Sequence, residues 1–164
     1  RGRDPHIWLS PKRVKVMIAA IAETLAEIDP DNAGVYEENK EAFIEELDAL
    51  DMEIAKTVDL MENKEFIIMH PSLGYLADDY GLEMVAIEED GKEAGSAYLQ
   101  YVIDYAREHN IKVVFYQAEF DSSQAETIAE EIQGQVVQLD TLSADYIENL
   151  KLIINALKEG QEGR

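Results

Sequence analysis

The first part of the chain carries apolar residues at helical spacing. Ser10 is a typical helix N-cap residue, and Pro11 suits the first helical position because its missing N–H is not needed there. The apolar positions that follow form one stripe; they are Val14, Met17, Ile18, Ile21, Leu25 and Ile28. The pattern predicts an amphipathic helix that ends at Asp29-Pro30.

A second helical pattern extends from Pro30 to about Asn63 without a break. Its apolar positions are Tyr36, Phe43, Leu47, Leu50, Ile54, Val58 and Met61. At about 1.5 Å per residue such a helix is roughly 50 Å long, well beyond the ~13 Å radius of gyration of a ~100-residue domain. We therefore expect a helix that runs along more than one lobe.

After Asn63 the hydrophobic pattern changes from helical spacing to short continuous apolar runs, at 66–69, 84–87, 113–116 and 136–139. Continuous runs are typical of strands buried on both faces. Helical stretches separate them at about 72–80, 95–109 and 122–133, and a last one covers about 143–159. This order predicts an α/β fold: a four-stranded parallel sheet with covering helices, preceded by two helices.

Charge and composition exclude several classes of protein. The 14 Lys+Arg and 35 Asp+Glu give a net charge of −21, which would repel phosphates and argues against nucleic acid or an anionic membrane as a partner. The absence of cysteine excludes disulfides, Cys-ligated zinc, iron–sulfur clusters and thiol nucleophiles. The sequence opens at Arg1 without Met or a signal peptide, so we expect a fragment or a processed product.

Polar side chains follow each predicted strand. In open α/β sheets, ligands bind outside the carboxyl ends of the strands. His70 follows the first strand, the run 88–90 the second, Gln117 and Glu119 the third, and Asp140 the fourth. Neutral imidazoles and carboxylates are ligands that suit zinc or manganese. This edge of the sheet is therefore a candidate metal site.

A further histidine, His6, lies in the segment DPHIWLSP at 4–11. It is far from His70 in sequence, and no local pair of histidines exists, so spacing alone indicates a metal only weakly. Glycine-rich phosphate loops and a GxSxG motif are missing, which leaves nucleotide binding and serine catalysis without support.

Five segments carry a resemblance to a known family. They are DPHIWLSP at 4–11, DPDNAGVYEEN at 29–39, HPSLGYLADDYGL at 70–82, GKEAGSAYL at 91–99 and LDTLSADYIENL at 139–150. In this order they resemble segments of the cluster A-I metal-binding proteins, which serve ATP-driven (ABC) importers of zinc and manganese. The resemblance covers nearly the whole chain.

That resemblance implies two α/β lobes joined by one long helix, with the metal in the cleft. It assigns His6, His70 and Asp140 as metal ligands and implies a further His in the first lobe, upstream of this chain. His70, where manganese proteins tend to have Glu, favours zinc over manganese. The implied function is non-enzymatic: capture of zinc and delivery to the membrane permease of an ABC transporter, in the periplasm or at the cell surface. Cell adhesion is also associated with the family.

The resemblance also implies how the chain is divided. Residues 1–30 are expected to be a remnant of the first lobe, 31–63 the inter-lobe helix and 64–164 the second lobe. With three protein ligands, zinc binding should be weak. The apolar stripe of the first helix should face water and drive pairing with a second copy, a homodimer. Gln117-Ala118 replaces the family's usual Glu-Pro and is expected to affect only the local turn.

Each candidate residue also has a simpler interpretation. Asp140 could cap a turn, His6 could pack on Trp8, the run 88–90 could be a solvated loop, and His109 suits a helix end. Two other function classes compete with transport: a metal-dependent hydrolase, for which no general base is evident, and a phosphoacceptor signalling domain, whose Asp and Lys are not in their places.

Overall fold

Two helices precede the sheet in the structure, a computed structural model that describes residues 3–88 and 91–161. A short 3₁₀ turn, Ile7–Leu9, leads into helix α1, Pro11–Ile28. A second 3₁₀ turn, Pro30–Asn32, leads into α2, Ala33–Asp59. The Asp29 carboxylate accepts hydrogen bonds from Asn32 (2.8 Å) and from the Tyr36 hydroxyl (2.7 Å), which fixes the corner between the helices.

Helix α2 is shorter than predicted because its last turn tightens. The Leu60 and Met61 amides donate to the carbonyls of Thr57 and Val58, three residues back, rather than continuing the helix. The side chain of Asn63 then accepts a hydrogen bond from the amide of Glu65 (3.0 Å) and starts the first strand. With 27 residues, α2 is about 40 Å long.

The rest of the chain alternates strands and helices, as predicted. The strands are β1 (Glu65–Ile68), β2 (Glu83–Ala86), β3 (Val113–Gln117) and β4 (Gln135–Leu139), and the helices are α3 (Gly74–Tyr80), α4 (Ser96–Glu108), α5 (Ser123–Glu131) and α6 (Tyr146–Gln161). All strand pairs are parallel and the order is β2-β1-β3-β4. The four-stranded parallel sheet is therefore confirmed.

Helices cover both faces of the sheet. Phe66 of β1 and Phe115 of β3 point to the face covered by α2, α3 and α6, and their rings meet edge to face at 6.4 Å. Ile67 and Val114, the alternate residues, pack under α4 and α5. Burial on both faces holds for β1 and β3 but is wrong for β2 and β4, because these are edge strands and are partly exposed.

The N-terminal stripe on α1 is covered in part. Val14 is buried, and Met17 and Ile18 are half-buried, because α2 packs along this part of α1. Ile21 and Ile28 are 49% and 75% exposed. The expectation that the whole stripe faces water is therefore wrong for its first half.

Within the two described ranges, no helix is long and apolar enough to cross a membrane.

Asp79 of α3 joins α1 to the sheet half of the chain. Its carboxylate accepts hydrogen bonds from the buried Ser10 hydroxyl (2.6 Å) and from Nε of Arg13 (2.9 Å). Lys12 adds a hydrogen bond to the Asp79 carbonyl (2.8 Å). Ser10 does occupy the N-cap position of α1, but its side chain bonds to Asp79 instead of capping the helix.

We expect Asp79→Ala to destabilise the fold by about 1–3 kcal/mol, because it leaves the buried Ser10 hydroxyl without its acceptor. Denaturant unfolding at neutral pH measures this loss. Asp78→Ala is the matched control: the Asp78 side chain also pairs with Arg13 but is 74% exposed, so its loss should change stability by less than about 1 kcal/mol. Equal effects of the two variants would contradict the role of Asp79.

The hydrogen bonds of the Asp79 carboxylate also predict that stability depends on pH. Burial raises the pKa of Asp79, but the hydrogen bonds from Arg13 and Ser10 outweigh it, so the pKa lies below its ordinary value of 3.8. The ionised carboxylate therefore contributes stability above the ordinary pKa, and this contribution is lost as the pH falls through the lower, folded-state pKa. The stability difference between wild type and Asp79→Ala should shrink below about pH 4.

Candidate metal centre

Two histidines that are distant in sequence meet at the carboxyl edge of the sheet. His70 lies two residues after the end of β1, and His6 lies just before the 3₁₀ turn that leads into α1. Their Nε2 atoms are 3.3 Å apart, and their rings are nearly perpendicular at 79°. Their side chains are 17% and 20% exposed, so both nitrogens lie at a partly open surface.

The loop that carries His6 is bonded to the sheet half at three points. The Tyr75 hydroxyl donates to the Asp4 carbonyl (3.0 Å). Indole Nε1 of Trp8 donates to the Thr141 carbonyl (3.0 Å), and the Tyr146 hydroxyl donates to the Trp8 carbonyl (2.8 Å). The ring of Trp8 also lies edge-on to the ring of His6, at 5.4 Å between centroids. These contacts fix where His6 lies relative to His70.

Gln117 holds the backbone of His70. This fully buried side chain donates from Nε2 to the His70 carbonyl (2.8 Å) and to the Ser72 hydroxyl (2.6 Å), and its Oε1 accepts from the His70 amide (3.4 Å). A side-chain amide can donate two hydrogen bonds and accept a third, whereas a glutamate carboxylate can only accept. Its effect therefore reaches the candidate ligand His70, whereas the sequence indicated only a local turn.

The ring of His70 also contacts Phe120, which the sequence did not identify, and Glu88, the first residue of the acidic run after β2. Phe120 stacks on it, with ring centroids 4.3 Å apart and planes inclined by 13°. The carboxylate of Glu88 contacts Nδ1 of the same ring. Because the Glu88 side chain is only 12% exposed, the interpretation as a solvated loop is wrong for this residue. Glu89 and Asp90, in the same run, lie outside the described residues.

His6 has an equivalent carboxylate partner. Oδ1 of Asp4 lies 2.7 Å from Nδ1 of His6 and also accepts a hydrogen bond from the His6 backbone amide (2.9 Å). Each imidazole therefore has a carboxylate at Nδ1. Since a carboxylate can only accept, Nδ1 is the donor in each of these contacts, which favours the tautomer whose Nε2 atom has an electron pair for a metal ion.

Asp140 takes a different place from the two histidines. It follows β4 and is exposed; its Oδ1 accepts from the Leu142 amide (2.9 Å), and its carbonyl accepts from the side chain of Asn149 (2.8 Å). This is the turn-capping arrangement. Over residues 3–88 and 91–161, no three His, Asp or Glu side chains form a group that could hold a metal ion. Metal ligation by Asp140 stays a prediction.

The third histidine lies at the opposite, amino edge of the sheet. His109 is the C-cap of α4, its Nδ1 pairs with the carboxylate of Glu65, and its ring stacks on Tyr105 at 4.1 Å. Burial, together with the nearby Glu65 and Glu83, raises the pKa of Tyr105 to about 12. The structural role expected for His109 agrees with these contacts.

The spacing of the two Nε2 atoms fits a tetrahedral zinc ion. Zinc lies about 2.0–2.1 Å from imidazole nitrogen, so two ligands of a tetrahedral ion are about 3.3–3.4 Å apart. The observed separation of 3.3 Å between His6 and His70 is the same. The separation of the pair is therefore compatible with two of the four ligands of one ion.

The chain is similar to proteins described as taking up or binding zinc. A family model described as "Zinc-uptake complex component A periplasmic" matches residues 1–160. The chain is 36% identical over 168 aligned residues to the high-affinity zinc uptake system protein ZnuA of Bacillus subtilis, covering 95% of this chain and 53% of that protein. It is 30% identical to the zinc-binding lipoprotein AdcA of Streptococcus pneumoniae, covering 98% and 35%.

Solved structures show the same fold. A crystal structure of ZnuA superimposes with a TM-score of 0.94 at 41% identity, covering 96% of this chain and 60% of that one. The laminin-binding protein Lbp of Streptococcus pyogenes superimposes with a TM-score of 0.88 at 26% identity, covering 96% and 64%. The chain thus spans about a third to a half of the length of these curated relatives and under two thirds of these solved chains.

Proposed function

Because this chain belongs to the family of the periplasmic zinc-uptake complex component A, we propose that it forms the metal-binding part of a zinc receptor in which His6 and His70 are ligands. The observation that carries the proposal is the 3.3 Å separation of their Nε2 atoms, with a carboxylate at the Nδ1 atom of each ring. Because that separation matches one edge of a tetrahedral zinc site, the two side chains can share one ion.

The donor set favours zinc over manganese. Imidazole nitrogen suits zinc, whereas manganese prefers carboxylate, carbonyl and water oxygens. The two carboxylates nearest the pair, Asp4 and Glu88, contact ring nitrogens rather than an open position. An ion between the two Nε2 atoms would therefore meet nitrogen first.

Asp140 is proposed as a third ligand. Its loop is bonded to the His6 loop, since the carbonyl of the next residue, Thr141, accepts the hydrogen bond of Trp8. A change of side-chain rotamer would free its carboxylate from the Leu142 amide. Three protein ligands and water would hold zinc more weakly than four protein ligands.

The proposed role is transport and not catalysis. The ion would be captured outside the cytoplasm, held as cargo and released to the permease of an ABC importer. The family description supports a periplasmic component of zinc uptake, and the name of the Bacillus subtilis protein supports zinc uptake. Residues 64–164, with the sheet, would form one lobe, and α2 would run along it towards another.

The exposed end of the α1 stripe, including Ile21 and Ile28, is proposed to pair with a second copy, which light scattering would detect as a dimer.

Calorimetric titration of the whole chain with zinc and with manganese tests the proposal. We expect saturable binding of one zinc per chain, and weaker or no binding of manganese. Preloading with manganese should not prevent zinc from binding. Absence of saturable zinc binding, or tighter binding of manganese than of zinc, would contradict the proposed function.

A further inference from the structure

We propose that Glu88 is a positioning residue for the metal site: its carboxylate holds His70 in the tautomer and orientation that direct Nε2 at the ion. The inference rests on the proposed function of His70 as a ligand. Glu88 itself would not touch the metal, because its contact is with Nδ1, on the other side of the ring.

The backbone fixes Glu88 beside His70. Beyond the end of β2, the Ile87 amide donates to the Ile68 carbonyl (2.9 Å), and the Glu88 amide donates to the Met69 carbonyl (3.0 Å). The parallel pairing of β1 and β2 thus continues as far as the residue before His70. The Glu88 side chain therefore starts from a rigid strand end and is mostly shielded from water.

The remaining contacts of His70 leave the Nδ1 atom of its ring to Glu88, while Nε2 faces His6. Gln117 holds the backbone amide and carbonyl of His70, and Phe120 covers one face of the ring. Neither contact determines which ring nitrogen carries the hydrogen. The carboxylate of Glu88 does so, because it accepts a hydrogen bond and cannot donate one.

The same arrangement at His6 supports the assignment. Asp4 contacts Nδ1 of His6 at 2.7 Å, so two carboxylates from different loops bond the outer nitrogens of the pair while the inner Nε2 atoms face each other. Carboxylates that bond the second nitrogen of a ligand histidine orient the ring and make it more basic, and their removal typically lowers metal affinity 10–100-fold.

Three variants and two measurements test the inference. Zinc affinity is measured by calorimetry for Glu88→Ala, Glu88→Gln and Glu130→Ala, and the tautomer of His70 is measured by NMR of its ring nitrogens without metal. Glu130 is the matched control, because it is an exposed carboxylate near the end of α5 and is not one of the strand-end residues of the candidate site. We expect Glu88→Ala to weaken zinc binding about 10–100-fold.

The control and the conservative variant separate positioning from charge. Glu130→Ala should bind zinc like wild type, and Glu88→Gln, whose amide oxygen still accepts from Nδ1, should recover part of the affinity. NMR should show the hydrogen on Nδ1 of His70 in wild type and a mixture of tautomers in Glu88→Ala. This second readout would not change if Glu88 only stabilised the fold.

The outcomes distinguish this inference from the proposed function. If wild type does not bind zinc, the proposed function fails. If wild type binds zinc but Glu88→Ala binds it equally well, with an unchanged His70 tautomer, the positioning role is overturned and the proposed function stands. Equal losses in Glu88→Ala and Glu130→Ala would assign the effect to overall charge and would also overturn the positioning role.

Discussion

Replacement of both His6 and His70 by alanine is expected to abolish saturable zinc binding and to leave the fold intact. The two Nε2 atoms lie 3.3 Å apart and are the proposed nitrogen ligands, so their loss leaves only oxygen donors near the site. Both side chains belong to loops and are partly exposed, so truncating them opens no cavity in the core. Calorimetry measures the binding, and circular dichroism checks the fold.

His109→Ala is the matched control for this experiment. It removes the same side chain, but at the amino edge of the sheet, where His109 pairs with Glu65 and stacks on Tyr105. Zinc binding in this variant should equal that of wild type. If the double variant kept wild-type affinity, or if His109→Ala lost it, the assignment of His6 and His70 would be wrong.

Gly134→Ala is expected to have the largest effect on stability, a loss of about 3 kcal/mol. A Cβ atom at Gly134 would lie 2.0 Å from the carbonyl oxygen of Lys112. That oxygen belongs to the backbone and accepts the hydrogen bond of the Gln135 amide (2.9 Å) at the start of the β3–β4 pair. The clash can be relieved only by moving the start of β4 away from Lys112, which breaks this hydrogen bond. Denaturant unfolding measures the resulting loss of stability.

Gly34→Ala provides a control of opposite sign. Gly34 lies on the exposed side of α2, and nothing lies within 4 Å of the Cβ that alanine would add. Since alanine is a better helix former than glycine by about 1 kcal/mol, this variant should be as stable as wild type or more so. Comparable losses in both variants would show that the close approach at Gly134 is not the cause.

The sequence predicted most of the elements because their signals are local. The period of α1 and its Pro11 start match the structure to the residue, and four apolar runs became four strands. Exposure of β2 and β4 was missed because a run of apolar residues shows that a strand is apolar and does not show its place in the sheet. The end of α2 was missed because a tight turn continues the helical spacing for several residues.

For the candidate site, the strand-end rule and the resemblance identified His6 and His70, which the structure brings together. The strand-end rule also placed Glu88 and Gln117 at this edge, but it did not show that they contact His70. These two residues and Phe120 reach His70 across gaps of many residues, and nothing in their local sequence indicates which ring or carbonyl they contact. Asp4 is two residues from His6, so the motif contained it without showing its hydrogen bond to the ring.

The anchoring of the His6 loop has a kinetic consequence. Tyr75, Trp8 and Tyr146 bond this loop to the sheet half, so His6 and His70 are positioned before any metal ion binds. Binding then carries little entropic cost for ordering the two side chains. If His6 and His70 bind the ion as proposed, we expect the rate of capture to be limited by how fast the ion sheds water. A partner that breaks the hydrogen bonds of Trp8 would then separate the two nitrogens and lower the affinity for the ion.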